Sequence, residues 1–138
     1  MSEVNRTIVF EQFARKAKLR LEERKKFRTE RLMIKSMGDE VLEIRGLSDN
    51  EISDCMDFST DPIETDRYTI YMASPTLQEA AKVLVNEGVL QPSKEYKITE
   101  IFTGAERNFI ARRVLQLSGV GGEADIEVIS ENEEVKNS

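Results

Sequence analysis

The sequence contains few of the residue types that catalyse reactions or bind metal ions. Its 138 residues include no histidine, no tryptophan and a single cysteine, Cys55. Without histidine, no Ser-His-Asp or Cys-His arrangement can form, and one cysteine allows neither an internal disulfide nor a cysteine-rich zinc site. We interpret Cys55 as a small buried hydrophobic residue. The composition therefore argues against several classes of hydrolase and zinc enzyme.

Carboxylates are plentiful, and paired carboxylates can act as a general acid and base. However, Glu51, Glu79 and Glu106 each follow a Ser or Thr by three residues. This spacing is typical of a capping box at the start of a helix, so we assign these acids a structural role. The acids at 123–127 do not fit a calcium-binding EF-hand loop, and 119–122 lacks the Lys-Ser/Thr of a phosphate-binding loop. We predict no catalytic residue, no metal site and no cofactor.

Charge is unevenly distributed along the chain. Residues 1–31 contain ten Lys/Arg and five Asp/Glu, a net charge of +5, whereas residues 32–138 contain ten and 21, a net charge of −11. A basic head on an acidic body is compatible with contact to nucleic acid, to an acidic protein partner or to the body itself.

The basic head is predicted to be a helix from about Thr7 to Arg28. Its apolar residues recur at steps of three and four, which places them on one face: Phe10, Phe13, Ala14, Ala17 and Leu21. An isolated helix of this length is marginally stable, so we expect the face to dock either on the chain's own domain or on a partner. Burial would also keep its aromatic rings from stacking on nucleic-acid bases.

The remainder predicts a small hairpin and a helical body. Two short runs, 31–37 and 41–45, flank a Gly-containing link, which is typical of a β-hairpin. Start signals predict helices after Ser48, Asp61, Thr76 and Thr103, and Gly88 and Gly119 are predicted stops. Residues 96–102 fit a helix or a strand, and we favour a short helix. Ile52, Cys55 and Met56 follow the first of these signals at helical spacing. We expect the following residues to face inward: Tyr68, Tyr71, Met72, Phe109, Ile110, Val114 and Leu117.

We therefore predict a mainly α fold, with one β-hairpin near 31–45 and a long N-terminal amphipathic helix that packs on or beside a compact helical body. The expected parts are a basic helix at 1–30, the hairpin and helical body at 31–120, and a disordered acidic tail at 121–138.

Several short motifs resemble one protein family. They are Gly46-Leu-Ser-Asp-Asn-Glu-Ile52, Tyr71-Met-Ala-Ser-Pro-Thr-Leu77, Ile101-Phe-Thr-Gly-Ala-Glu106 and Val114-Leu-Gln-Leu-Ser-Gly-Val120. Their order over about residues 30–120 is similar to that in the XkdN-like tail assembly chaperones of long-tailed bacteriophages and prophages. Ser74 stands where that family often has Asn, and Ala105 separates Gly104 from Glu106, which the family has adjacent.

The resemblance implies a non-enzymatic role. Such chaperones bind the long tape-measure protein, with the tail-tube protein as a second possible client, and are absent from the finished virion. We expect the partner contact at the apolar stripe and nearby basic residues of the first helix: Phe10, Phe13, Ala17, Leu21, Arg20, Arg24 and Lys25. A homo-oligomer is also possible.

We expect a cytoplasmic protein of the bacterial host, since no signal peptide or membrane span is evident. The alternative function is a small nucleic-acid-binding regulator that uses the basic helix. We disfavour direct nucleic-acid binding because the body is strongly acidic.

Overall fold

The structure, a computed structural model, describes residues 3–129 and the side chains from Ile8 onward. It contains five α-helices, a two-stranded sheet and two 3-10 helices in these residues. In chain order they are α1 (Glu3–Arg24), β1 (Thr29–Ile34), a 3-10 turn (Lys35–Met37), β2 (Glu40–Arg45), α2 (Asp49–Phe58), α3 (Pro62–Ala73), α4 (Pro75–Asn86), a longer 3-10 helix (Glu95–Ile101) and α5 (Gly104–Leu117). This confirms the predicted mainly α fold with one small hairpin.

The hairpin pairs β1 and β2 in antiparallel register, with Leu32 opposite Leu42. Gly38 follows the 3-10 turn with a φ of +67°, a left-handed conformation that glycine adopts without steric penalty. Leu42 and Ile44 are buried while Glu43 between them is exposed, as the alternation predicts. The hairpin therefore has one face against the helical body.

Two of the three predicted capping boxes are present. The hydroxyls of Ser48 and Thr103 each accept a hydrogen bond from the backbone N–H three residues on, and Glu51 and Glu106 accept one from the corresponding cap backbone N–H. Asp61 caps α3 as predicted, by accepting a hydrogen bond from the Ile63 N–H at 3.0 Å. These local signals therefore predicted three helix starts correctly.

The capping box predicted at Thr76 is wrong. Helix α4 begins two residues earlier, with Ser74 as its cap and Pro75 in its first turn. The Thr76 hydroxyl instead accepts a hydrogen bond at 3.0 Å from the Glu43 N–H of β2. Glu79, no longer a capping residue, pairs with Lys82 one turn on.

The core lies between the hairpin and helices α3, α4 and α5. Cys55 is buried, as predicted, and burial raises the pKa of its thiol. The predicted 96–102 helix is present as the longer 3-10 helix. Fully or nearly fully buried side chains include Ile44, Ile70, Ala73, Leu77, Ala81, Ile98, Ile110 and Val114.

One inward-facing prediction is wrong, because Phe109 is more than half exposed. On α3 the predicted Tyr68, Tyr71 and Met72 are partly buried and pack against the core, while the fully buried residues are Thr69, Ile70 and Ala73. The Tyr68 ring stacks on Phe58 at the edge of the core, with ring centroids 4.1 Å apart. A large polar-tipped ring suits this edge, because it keeps its hydroxyl near water.

The end of α5 is fastened to the end of the hairpin. The Ser118 hydroxyl accepts a hydrogen bond at 2.8 Å from the Leu47 N–H. Gly119 follows with a φ of +77°, which confirms the predicted helix stop. Residues 121–129 form neither helix nor strand, and the rest of the predicted acidic tail lies outside the described residues.

Candidate protein-binding surfaces

The stripe of α1, formed by Phe10, Phe13, Ala17 and Leu21, is the first candidate surface. The side chains of Phe10, Phe13 and Leu21 are 68%, 75% and 64% exposed, and Ala17 is half-buried. The expectation that this helix packs on or beside its own body is therefore not met. Exposing two phenylalanines and a leucine on one helical face is characteristic of a surface that binds another protein.

The opposite face of α1 is also apolar in places. Leu19 is 61% exposed, and at 100° per residue it lies on the side of the helix away from the stripe. Ile8 lies on that side as well and is about half exposed. The helix is therefore less cleanly amphipathic than its sequence pattern predicts.

Contacts at the C-terminal end of α1 connect it to the body. The Arg24 guanidinium donates a hydrogen bond to the Ser118 carbonyl at 3.5 Å and lies 3.6 Å from an Asp49 carboxylate oxygen. The Phe27 ring lies 4.5 Å below the Arg45 guanidinium, a cation–π contact. We call this set of contacts the junction. It links the C-terminal end of α1 to the body.

The predicted basic contact residues fall at the same end. Arg20 and Arg24 line a polar cleft with Glu23, Lys26 and Arg28, next to the end of α5. Arg24 already bonds the last turn of α5, whose carbonyl end favours a cation. Lys25 is exposed in the turn that follows α1. Of the three, Arg24 therefore has a structural partner within the chain.

A second candidate surface, which we call the apolar groove, was not predicted. It has a volume of about 450 Å³ between the hairpin, α4 and the longer 3-10 helix. Only Glu40 and Thr76 among its lining residues are polar. The full lining is Ile34, Met37, Glu40, Val41, Leu42, Thr76, Leu77, Ala80, Val83, Leu84, Ile98, Ile101 and Phe102. Val83 and Ile101 are about half exposed, so the groove opens to solvent.

A third surface, the β1–α5 groove, lies on the other side of the hairpin. It is lined by Met33 and Phe109, both more than half exposed, and is bordered by Arg31 and Lys35. The exposure of Phe109, predicted to face inward, is explained by its place on this outer side of α5. Its charged lining residues are Arg31, Lys35 and Glu106, whereas the apolar groove has Glu40 alone.

The acids with lowered pKa values have structural partners. Hydrogen bonds from Arg45 are the main cause that lowers the pKa of Glu51 to about 2. Arg113 likewise lowers the pKa of Glu30 and so connects α5 to β1. Among residues 3–129, no group of three or more Cys, Asp or Glu side chains is arranged to hold a metal ion.

Comparison of the chain with protein-family models, with curated proteins and with solved structures finds no match. Within the part of the chain that the structure describes, no helix is long and apolar enough to cross a membrane.

Proposed function

We propose that this chain is a non-enzymatic tail assembly chaperone of a long-tailed bacteriophage or prophage, acting in the host cytoplasm. Its principal client is the tape-measure protein, with the tail-tube protein as a second possible client. The single observation that carries the proposal is the uncovered stripe of α1. It adds to the similarity of the motifs over residues 30–120 to the XkdN-like family.

The stripe suits a client made of long amphipathic helices. A tape-measure protein exposes apolar helical faces that aggregate unless they are covered. The stripe places its anchors at i, i+3, i+7 and i+11, the spacing with which one helix packs along another. Burying a phenylalanine side chain contributes about 1.5–3 kcal/mol, so two of them can dominate a modest interface.

Co-expression with the client tests this proposal. The client is the product of the long helical gene expected beside this one, and its soluble fraction is measured with each variant. F10S/F13S removes the stripe anchors, and L19S is the matched control on the opposite face of the same helix. We expect F10S/F13S to lose client solubility and L19S to keep it, with both variants retaining the wild-type melting temperature.

A truncation gives a second, independent comparison. Removing residues 1–22 deletes the stripe but keeps Arg24 and Phe27, so the junction contacts remain. If the truncated chain or F10S/F13S holds the client in solution as well as the wild type, the stripe is not the client site and the proposal fails.

Nucleic-acid binding is the alternative, and one observation favours it. Phe10 and Phe13 are exposed, so burial does not keep them from stacking on bases. Arg20 and Arg28 add positive charge in the polar cleft. Titration with single- and double-stranded DNA at low and high salt distinguishes the functions. A steep loss of affinity with salt supports the alternative, and no binding at low salt removes it.

A further inference from the structure

The apolar groove is a surface that client binding by the stripe does not use. Its walls come from three separate segments, and Met37, Val41, Val83 and Ile101 leave an apolar strip open to solvent. Exposed apolar strips of this kind occur where a helix from another element or molecule docks. The same chain has an uncovered apolar helix face, the stripe of α1.

We propose that the apolar groove binds the α1 stripe of a second copy of this chain, and that two copies exchange their helices reciprocally. In this arrangement each copy contributes one helix and one groove, so the same contact occurs twice about a two-fold axis. The proposal concerns self-association and does not depend on the identity of the client.

Charge complementarity selects this groove for α1. The single charged residue in the groove lining is an acid, Glu40, which lies beside the exposed Asp39. The helix and the residues around it carry the net charge of +5. The β1–α5 groove has two bases and one acid in its lining, Arg31, Lys35 and Glu106, so it attracts the same helix less. Two α1 helices, each with six Lys/Arg and four Glu, carry like net charge, which weakly opposes pairing of two stripes.

The junction favours a groove on another molecule. Arg24 and Phe27 contact the body at the end of the hairpin where Thr29 pairs with Arg45, and the Gly46 N–H donates to the Arg28 carbonyl at 2.8 Å. The groove opens toward the other end of the hairpin, around Met37. Six strand residues, ~20 Å, separate the two ends. The stripe of α1 is exposed and no α1 residue lines the groove, so α1 does not occupy the groove of its own chain in this structure.

The length of α1 suits an exchange between copies. Its 22 residues extend ~33 Å from the junction, whereas a domain of 100 residues has a radius of gyration of ~13 Å. The stripe therefore projects far enough to reach a neighbouring body. Because the contact occurs twice, the apolar area buried in the dimer is twice that of one stripe in one groove.

Measurement of the oligomeric state of purified full-length variants, by light scattering and sedimentation over a range of concentrations, tests the proposal. The stripe variant is F10S/F13S, and the groove variant is V83K, which places a positive charge in the groove at an exposed position. Matched controls are L19S on the opposite face of α1 and V89K at an exposed valine outside the groove. We expect a wild-type dimer, dimerisation weakened roughly tenfold or more in each test variant, and little change in the controls.

Mixing the two test variants gives the decisive result. The stripe variant has an intact groove and the groove variant has an intact stripe, so the mixture restores one of the two contacts. We expect a mixed dimer where neither variant alone forms one.

A second measurement uses F13C and V83C in separate chains, since Cys55 is buried and should not compete. Mild oxidation of the mixture should give the F13C–V83C heterodimer.

Three other results would each overturn the proposal. A wild-type monomer at all concentrations would show that the stripe is free or folds onto its own groove. A dimer that survives V83K but not F10S/F13S, with F13C crosslinking to itself, would show that two α1 helices pair. A mixture of the F13C and V83C chains that gives no heterodimer on oxidation would show that stripe and groove do not meet. F10S/F13S removes both proposed contacts of the stripe, so V83K separates the two proposals: it leaves the stripe intact and should weaken the dimer while the client stays soluble.

Discussion

Gly46 is the position where adding one methyl group should cost the fold most. It lies at the end of β2, where the hairpin crosses the last turn of α5. A Cβ at this residue would lie 2.6 Å from the Leu117 carbonyl oxygen and 2.9 Å from its carbonyl carbon. Both are backbone atoms, so no flexible side chain can move aside. For Gly46→Ala, either the end of β2 or the end of α5 must shift.

The expected cost follows from two contributions. Overpacking by one methyl group against backbone costs about 1–3 kcal/mol. A shift of the last turn of α5 also stretches the buried hydrogen bond from the Leu47 N–H to the Ser118 hydroxyl, worth about 1 kcal/mol. We therefore expect Gly46→Ala to lower the free energy of unfolding by about 2–4 kcal/mol. In a domain of this size that lowers the melting temperature by roughly 6–16 °C.

Gly104→Ala is the matched control. Gly104 opens α5, and a Cβ there would meet only the end of the Arg107 side chain, at 3.7 Å. Alanine in this helical position should stabilise the protein by a few tenths of a kcal/mol up to about 1 kcal/mol. Urea and thermal unfolding of both variants measure the difference. If Gly46→Ala unfolds at the wild-type midpoint or above it, the close approach of hairpin and helix described here is incorrect.

Three further predictions concern the body. Glu51→Gln should lower the free energy of unfolding by about 2 kcal/mol at neutral pH, since the Glu51 carboxylate, a quarter exposed, is paired with Arg45. Because the pKa of that carboxyl is lowered in the folded state, its contribution to the free energy of unfolding is full above pH 4.5 and is lost as the pH falls toward about 2. The free energies of unfolding of wild type and variant should therefore converge between pH 4.5 and about 2. A constant difference between them over this range would contradict the Glu51–Arg45 assignment. Ser74→Ala should lower the free energy of unfolding by about 2 kcal/mol, because the buried Ser74 hydroxyl both caps α4 and donates to the Glu43 carbonyl at 2.8 Å. Urea unfolding measures this, and a decrease below about 0.5 kcal/mol would refute it. The Cys55 thiol should react with a thiol reagent only as fast as the protein unfolds, and rapid reaction of the native protein would show that Cys55 is accessible.

Local signals predicted the helix starts that depend on local contacts. The caps at Ser48 and Thr103 need only atoms within four residues, so the sequence pattern was sufficient. At residues 74–79 two valid start signals overlap, the Ser-Pro pair and the Thr76 box. A bond from the Glu43 N–H, 33 residues away in sequence, occupies the Thr76 hydroxyl. Only the tertiary structure could supply that information.

The stripe of α1 and the apolar groove likewise differ in how far the sequence alone predicts them. The stripe lies on one helix, so the periodicity of three and four predicted its residues, but whether it is covered depends on the rest of the molecule. The apolar groove combines residues from 34–42, 76–84 and 98–102, which are joined only by packing. No periodicity spans such segments, and Val83 or Ile101 alone gives no indication of a binding surface.

The distance between the stripe and the body explains how a +5 head can coexist with a −11 body without folding onto it. The junction holds only the last turn of α1. Phe13 and Phe10 precede Arg24 by 11 and 14 residues, so they lie ~17 and ~21 Å along the helix from it. At physiological ionic strength exposed charges are screened beyond ~8 Å, so the attraction of the chain's own body is weak at that distance. An acidic surface that meets the stripe at short range is therefore most readily supplied by another molecule. For this reason the charge asymmetry favours a partner, whether client or second copy, over self-docking.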